Sequence, residues 1–469
     1  MNRRFPVSGR IIFLGILWVA VAGLSTRAVV GDGFEGLRVA QNQRYLEYRE
    51  GAPFFYLGDT AWELFHRLNR EEADRYLKNR AAKGFTVIQA VVLAELDGLE
   101  DPNPYGDRPL AERDPARPNE RYFEHVDYIV NRAETLGLVI GMLPTWGRWW
   151  KAQGIFTPEN SRLFGRFLGE RYQDKPIIWI LGGDHNPDTA RERAIIEELA
   201  QGIKEGDGGR HLMTYHPRGP GLSSDYFHRA AWLDFNMFQS SHAARDHDNG
   251  LFTIHDYGLG PAKPTLDGEP RYEAIPVGFY NADADRDLRF DDYDVRQAAY
   301  WSLLAGACGH TYGNNNIWQM WQPGRKPVIW ASTPWQEALD HPGAVQMTHV
   351  RRLFESRPFH QLVPDPSIIL DGPTHGGAKI RAARAADGSF AFVYSPRGEP
   401  FTVRVNVIRT HRIRQTWYDP RTGTARNLHT TDTPGFQTFV PPSSGRGNDW
   451  LLVLDDAAAD YPPPGQVKQ

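Results

Sequence analysis

Two short segments put carboxylates where an apolar run stops. Residues 177–187, IIWILGGDHNP, deliver Asp184, His185 and Asn186 behind a pair of glycines. Residues 263–273, KPTLDGEPRYE, deliver Asp267, Gly268 and Glu269. Read singly, each has a plain structural explanation. An Asp ahead of a helix is an ordinary N-cap, Asp-Gly is a common turn, and the turn is the preferred reading of Asp267. Facing one another across a cleft, two such carboxyls are what glycosidic bond cleavage needs. One protonates the departing oxygen, and the other attacks the anomeric carbon or activates water. The elements that carry them decide whether they face.

From residue 54 onward the sequence alternates between apolar runs and amphipathic stretches. Strands are expected at 54–57, 85–93, 138–143, 177–181, 211–215, 232–238, 264–266 and 305–312. Most are apolar throughout, the mark of a parallel sheet covered on both faces. Helices are expected at 71–83, 121–136, 158–172, 191–204, 293–304 and 345–355, with Asn69 starting the first and Gly84 ending it. Eight strands mostly separated by helices predict a (β/α)8 TIM barrel over 37–360, with a doubly wound sheet as the alternative. Past residue 362 the pattern becomes short alternating runs (SFAFVYS, FTVRVNV, QTWYDP, FQTFVPP, DWLLVLDD) separated by turn residues. That predicts an antiparallel β-sandwich over 362–456, reached through Pro364-Asp365-Pro366, with a disordered tail at 457–469.

Barrel chemistry collects at the C-terminal ends of the strands, so the residues that follow each strand are the candidates. In strand order they include Asp59 and Trp62; Glu95 and Asp97; Trp146, Trp149 and Trp150; Asp184, His185 and Asn186; His216; Gln239 and His242; Glu269; and His310 and Trp318. Asp184 after strand four and Glu269 after strand seven fall on opposed sides of the barrel mouth. The tryptophans offer apolar faces for a sugar ring, and the polar residues offer partners for its hydroxyls. Asp59 reads equally as a cap, and His216 and His310 equally as core histidines.

Bulk properties narrow the class. With 53 basic and 57 acidic residues the net charge is −4, which leaves no electropositive footprint for nucleic acid. The one cysteine, Cys308, excludes both a disulfide within the chain and a thiolate metal cluster. There is no phosphate-binding glycine loop or serine-hydrolase elbow, and no cofactor is expected. Arg3, Arg4 and Arg10 precede an apolar run at 11–24 and a small-residue site at 26–28, the pattern of a signal peptide over 1–28. An exported protein with no membrane span after cleavage, either periplasmic or extracellular, is therefore expected. Nothing in the sequence sets an oligomeric state. Two other readings keep a place: a non-catalytic carbohydrate- or protein-binding surface module, and a metal-dependent hydrolase using His242, Asp246, His247 and Asp248.

FFYLGDTAWELF (54–65), IIWILGGDHNP and KPTLDGEPRYE together resemble a bacterial family, from about residue 37 to 456. It joins an apiosidase-like catalytic domain to a C-terminal domain named after collagen binding in a collagenase. It includes glycoside hydrolase family 140, which acts on the plant pectin rhamnogalacturonan II. The resemblance implies an aspartate acid/base in the GGD segment and a glutamate nucleophile in the GE-P segment, matching Asp184 and Glu269. It further implies a retaining, exo-acting enzyme on pectic glycans. The Asp184 carboxyl should then hold a proton near neutral pH while Glu269 stays ionised.

Overall fold

The computed structural model describes residues 36–432 and 435–467; the expected signal peptide lies outside them. A small antiparallel sheet (Leu37–Val39, Leu46–Tyr48, Pro53–Phe54) leads into the barrel. The barrel strands are β1 (Tyr56–Thr60), β2 (Val87–Leu93), β3 (Val139–Thr145), β4 (Ile177–Leu181), β5 (Met213–Tyr215), β6 (Asn236–Gln239), β7 (Thr265–Asp267) and β8 (Gly309–Tyr312). Their ladder runs β5-β4-β3-β2-β1-β8-β7-β6, all parallel. The β5–β6 seam is closed by single contacts. Asp234 N donates to Met213 O at 2.8 Å, Met213 N donates to Asp234 Oδ2 at 2.7 Å, and the Thr214 hydroxyl donates to Phe235 O at 2.7 Å. Every residue of β2, β3 and β4 is buried, which is why these strands read as unbroken apolar runs.

The helices begin where side chains can satisfy their free N–H groups. Asn69 and Glu72 form a capping box on α1 (Arg70–Ala82), and Thr157 and Asn160 do so on α3 (Pro158–Tyr172); α2 (Glu120–Thr135) lies between them. Thr189 and Glu192 cap α4 (Ala190–Gly206), so the N-cap of this helix is Thr189 and not Asp184. Asp291 and Asp294 cap α6 (Asp292–Leu304), and α7 is Pro342–Glu355. The short α5 (Gly250–Tyr257) falls where no helix was expected. Its Leu251 and Ile254 point to solvent, so it carries no clean amphipathic signal. Among the described residues no helix is long and apolar enough to cross a membrane.

The C-terminal part is a sandwich of a six-stranded and a three-stranded antiparallel sheet. Phe390, Phe392 and Tyr394 of one strand pack toward the barrel, against residues such as Phe354 and Tyr300, while Ala391 and Val393 face the second sheet. Both faces of this strand are therefore buried. Ion pairs cross the same boundary: Arg296 to Asp449 (2.7 Å) and Arg357 to Asp455 (2.7 Å), all four groups shielded from solvent. The segment expected as a linker instead begins the sandwich, with Leu362–Pro364 pairing to Arg381–Ala385 and Asp365 paired to Arg384. The tail, expected to be disordered, folds back as far as Gly465, whose N–H donates to the Ser356 hydroxyl at 3.3 Å. Tyr461 packs on Phe390 and donates to the Ser389 hydroxyl at 2.9 Å, an aromatic anchor that the adjacent prolines obscured.

Candidate active site

Residues 182–184 connect β4 to the cavity through three successive left-handed residues, Gly182 (φ 98°), Gly183 (φ 75°) and Asp184 (φ 60°). A side chain at Gly182 would meet His216 O at 2.4 Å, and one at Gly183 would meet the Trp146 backbone at 2.8 Å. The glycines thus let the chain turn tightly between the ends of β3 and β5, and Asp tolerates the left-handed conformation better than most residues. Opposite, Asp267 is not in a turn. It ends β7, wholly buried, accepting hydrogen bonds from Ser240 N, the Ser240 hydroxyl and Asn249. Gly268 is there for close approach, since a side chain would strike Met237 Sδ at 2.4 Å. Glu269 is the next residue and projects into the cavity.

Two histidines hold Glu269. His242 Nε2 lies 3.1 Å from Oε1, and His216 Nε2 lies 3.1 Å from Oε2. The His242 contact is well formed, whereas the His216 contact lies off the direction of a full hydrogen bond, leaving both of its atoms with unspent capacity. Backbone N–H groups fix both rings. Asp184 N donates to His216 Nδ1 and Tyr272 N to His242 Nδ1, each at 3.4 Å, so in both imidazoles the proton faces Glu269. Burial opposes ionisation of Glu269, but the donors on His216 and His242 outweigh it and hold the carboxyl down at about 2. Asp184 goes the other way. Burial, and next the charge of Glu269, push its carboxyl up to about 7, against smaller opposing effects of His216, the Gly219 N–H and Arg218. One backbone segment thus carries one carboxyl and orients the histidine that faces the other.

The cavity encloses about 600 Å³, within the range of small-ligand sites. Of the residues singled out from the sequence, Asp184, Glu269, Trp62, Trp146, Gln239 and Trp318 line it. Trp62 and Trp146 lie 5.3 Å apart, and both pack on His216, which sits beneath the cavity, holding Glu269 rather than a sugar hydroxyl.

The remaining expected ligands lie elsewhere. Asp59 is fully buried behind β1, accepting from Tyr76 and from Arg80 Nε at 2.6 Å. Trp149 donates to Leu93 O and Ala94 O, and Trp150 donates to Gly182 O at 2.7 Å, so both indoles brace the strand ends from behind. His185 packs under Trp150, and the Asn186 side chain accepts from Arg218 N at 2.9 Å, shaping the loop after β5. His310 is a core histidine, pushed down to about 3 chiefly by burial.

Reading the sequence for sites also missed several lining residues. Glu95, Ser241 and His242 had been seen only as strand-end residues, and Arg218, Tyr272, Phe279, Tyr280 and Ile329 come from loops after the strands. The loop histidine and carboxylates considered for a metal diverge: Asp246 pairs with Arg397, and Asp248 with Lys379 and Arg381. Among the described residues no cluster of three or more His, Cys, Asp or Glu is disposed to hold a metal ion.

Residues 40–361 match the family model "Apiosidase-like, catalytic domain". The chain belongs to the apiosidase-like family. Residues 363–455 of this apiosidase-like protein match "Putative collagen-binding domain of a collagenase". A solved structure described as a glycoside hydrolase is 36% identical, spanning 91% of this chain and 98% of its own, with a TM-score of 0.84. A glycoside hydrolase family 5 structure from Bacteroides vulgatus ATCC 8482 is 33% identical, spanning 92% and 96%, with a TM-score of 0.85. No match was found among curated proteins. The apiosidase-like protein is a glycoside hydrolase, and its substrate is a carbohydrate.

Proposed function

We propose that Asp184 is the general acid/base and Glu269 the nucleophile of a retaining, exo-acting hydrolase of pectic glycans, exported from the cell. One observation carries the catalytic assignment. A single aromatic cavity holds one carboxyl kept ionised between two imidazole N–H groups and another kept protonated by burial and by the charge of the first. In the first step a Glu269 oxygen bonds to the anomeric carbon as the glycosidic C–O bond breaks, and Asp184 gives its proton to the departing oxygen. In the second, Asp184 takes a proton from water, whose oxygen displaces Glu269. The histidine N–H groups stabilise the carboxylate that leaves in this second step.

The limited cavity volume supports action on a terminal sugar. Arg218 supports an acidic glycan: it is exposed at the cavity rim on the Asp184 side and forms no ion pair among the described residues. A uronate on the leaving-group side would meet that guanidinium. The shared apolar core and buried ion pairs support reading the C-terminal sandwich as a structural part of the enzyme.

The test is sugar release from a panel of pectic oligosaccharides, comparing wild type with Asp184→Asn and Glu269→Gln. A monosaccharide freed by wild type and by neither variant is expected, and its first-formed anomer, read by proton NMR, should keep the substrate's configuration. Inversion would rule out the nucleophile role.

A further inference from the structure

A third carboxyl lines the cavity, and the reaction above does not use it. Glu95 follows β2 and lines the same cavity as Asp184 and Glu269. Side chains hold the backbone at and just before Glu95. The Trp149 indole donates to Leu93 O and Ala94 O, at 3.1 and 2.9 Å, and Arg148 Nη1 reaches Glu95 O at 3.4 Å. Its carboxyl, by contrast, forms no hydrogen bond or ion pair with any described residue. The buried neighbour Glu63 is fully engaged, with His66 (2.7 Å), Arg67 (3.6 Å) and Leu96 N (2.9 Å). Arg148 is the cation near Glu95, and its guanidinium is paired to Asp97 at 3.1 Å. A precisely held backbone presenting an unpartnered polar head to a cavity is how a ligand-binding group is arranged.

We propose that Glu95 is a sugar-binding residue whose carboxyl hydrogen-bonds a hydroxyl of the sugar held in the cavity. This rests on the reading of the cavity as the glycoside site. Burial, then the charges of Asp184, Glu63 and Glu269, raises the Glu95 carboxyl well above the ordinary carboxylate range. A consequence concerns selectivity. Three carboxyls line the cavity, while Arg218, which forms no ion pair among the described residues, stands at the rim. A uronate in the enclosed position would face those carboxyls without a partner, so that position selects a neutral sugar.

Two measurements test this. In the first, Glu95→Gln and Glu95→Ala are assayed on the oligosaccharide that wild type cleaves, beside Asp184→Asn and Glu269→Gln. Gln keeps a donor and an acceptor, so Glu95→Gln should stay within about threefold of wild type in kcat/KM. Glu95→Ala should lose about tenfold to a hundredfold, mostly through KM. Both should melt near the wild-type temperature. Glu95→Ala within about twofold of wild type overturns the proposal. So does Glu95→Gln as inactive as Glu269→Gln, which would make Glu95 an obligate titrating group.

The second measurement is calorimetric titration with neutral pentoses and hexoses and with galacturonate, and it needs no turnover. A neutral sugar should bind more tightly than galacturonate, and Glu95→Ala should weaken it by about tenfold. Equal or tighter galacturonate binding, or binding untouched by Glu95→Ala, overturns the proposal whatever the catalytic variants show. Loss of the catalytic reading, in turn, would appear as turnover surviving in Asp184→Asn and Glu269→Gln.

Discussion

The cavity and the domain boundary both bury carboxylates, and they treat them in opposite ways. At the boundary, Asp449 and Asp455 are both held by guanidinium groups, Asp449 by two N–H groups of Arg296 (3.0 and 2.7 Å) and Asp455 by two of Arg357 (2.9 and 2.7 Å) and by Arg414 (2.9 Å). At the barrel mouth no carboxylate lining the cavity meets a guanidinium within ion-pair distance. Glu269 has two imidazoles, while Asp184 and Glu95 are raised by burial and by neighbouring carboxyls. Forked ion pairs fix geometry and give a charge nothing further to do. Under-compensated carboxyls are poised to move protons or grip a ligand, and such groups gather at functional sites.

Neutralising one charge in each region should have opposite consequences. Glu269→Gln should lower kcat by about 10³-fold or more without lowering the melting temperature. Asp184→Asn should behave alike and add a pH signature. The Asp184 carboxyl is raised, so the folded protein keeps a proton that the unfolded chain has released. Stability therefore falls as pH rises from the ordinary value of 3.8 through about 7. The melting temperature of Asp184→Asn relative to wild type should accordingly climb between pH 5 and pH 8, and a flat difference would contradict the raised carboxyl. Across the boundary the effects exchange. Arg296→Ala leaves Asp449 in the core with the Tyr394 hydroxyl in place of a guanidinium and should cost about 3–5 kcal/mol in denaturant unfolding. Its kcat should stay near wild type at temperatures where it is folded.

What could be read in the sequence follows the same division. Long apolar runs announced the barrel, and Asp184 and Glu269 were found because strand ends are where barrel chemistry lies. Asp59 misled because Gly58-Asp59 looks like the end of a strand; instead β1 continues through it, and its partner Arg80 comes from α1. Trp149 and Trp150 misled because sequence shows an indole without showing which way its N–H points. Their partners are backbone carbonyls on other strands, which no local pattern encodes. His242 stood in plain view after β6. Its role depends on the backbone N–H of Tyr272 and on Glu269, and tertiary packing alone brings these together.

That histidine supplies a smaller effect. Glu269 is held down at about 2 by its two imidazole donors, so removing one lets its carboxyl rise toward the ordinary 4.5. A lowered carboxyl supports activity above its own pKa and loses it as pH falls through that value, so His242→Ala should move the acid limb of the rate profile upward. It should also cost about tenfold to a hundredfold in kcat at neutral pH. An acid limb that stays in place would mean that His216 alone sets the charge of Glu269.

The smallest effect separates a brace from a binding surface. The Trp149 indole N–H satisfies two carbonyls just ahead of Glu95, and the ring is buried out of the cavity. Trp149→Phe keeps an aromatic ring and loses the donor. If Trp149 is a brace, unfolding should become easier by about 1–3 kcal/mol, the cost of taking the indole donor from the Ala94 carbonyl; Leu93 O keeps Trp146 N. In that case KM should rise less than about threefold, through loosening of Glu95 alone. A sugar platform would respond the other way, because stacking area survives in Phe only in part while no carbonyl depends on it, so KM would rise with little change in stability. Measured beside Trp146→Phe, whose ring does line the cavity, the two tryptophans should divide cleanly: stability changes at 149 and substrate affinity at 146.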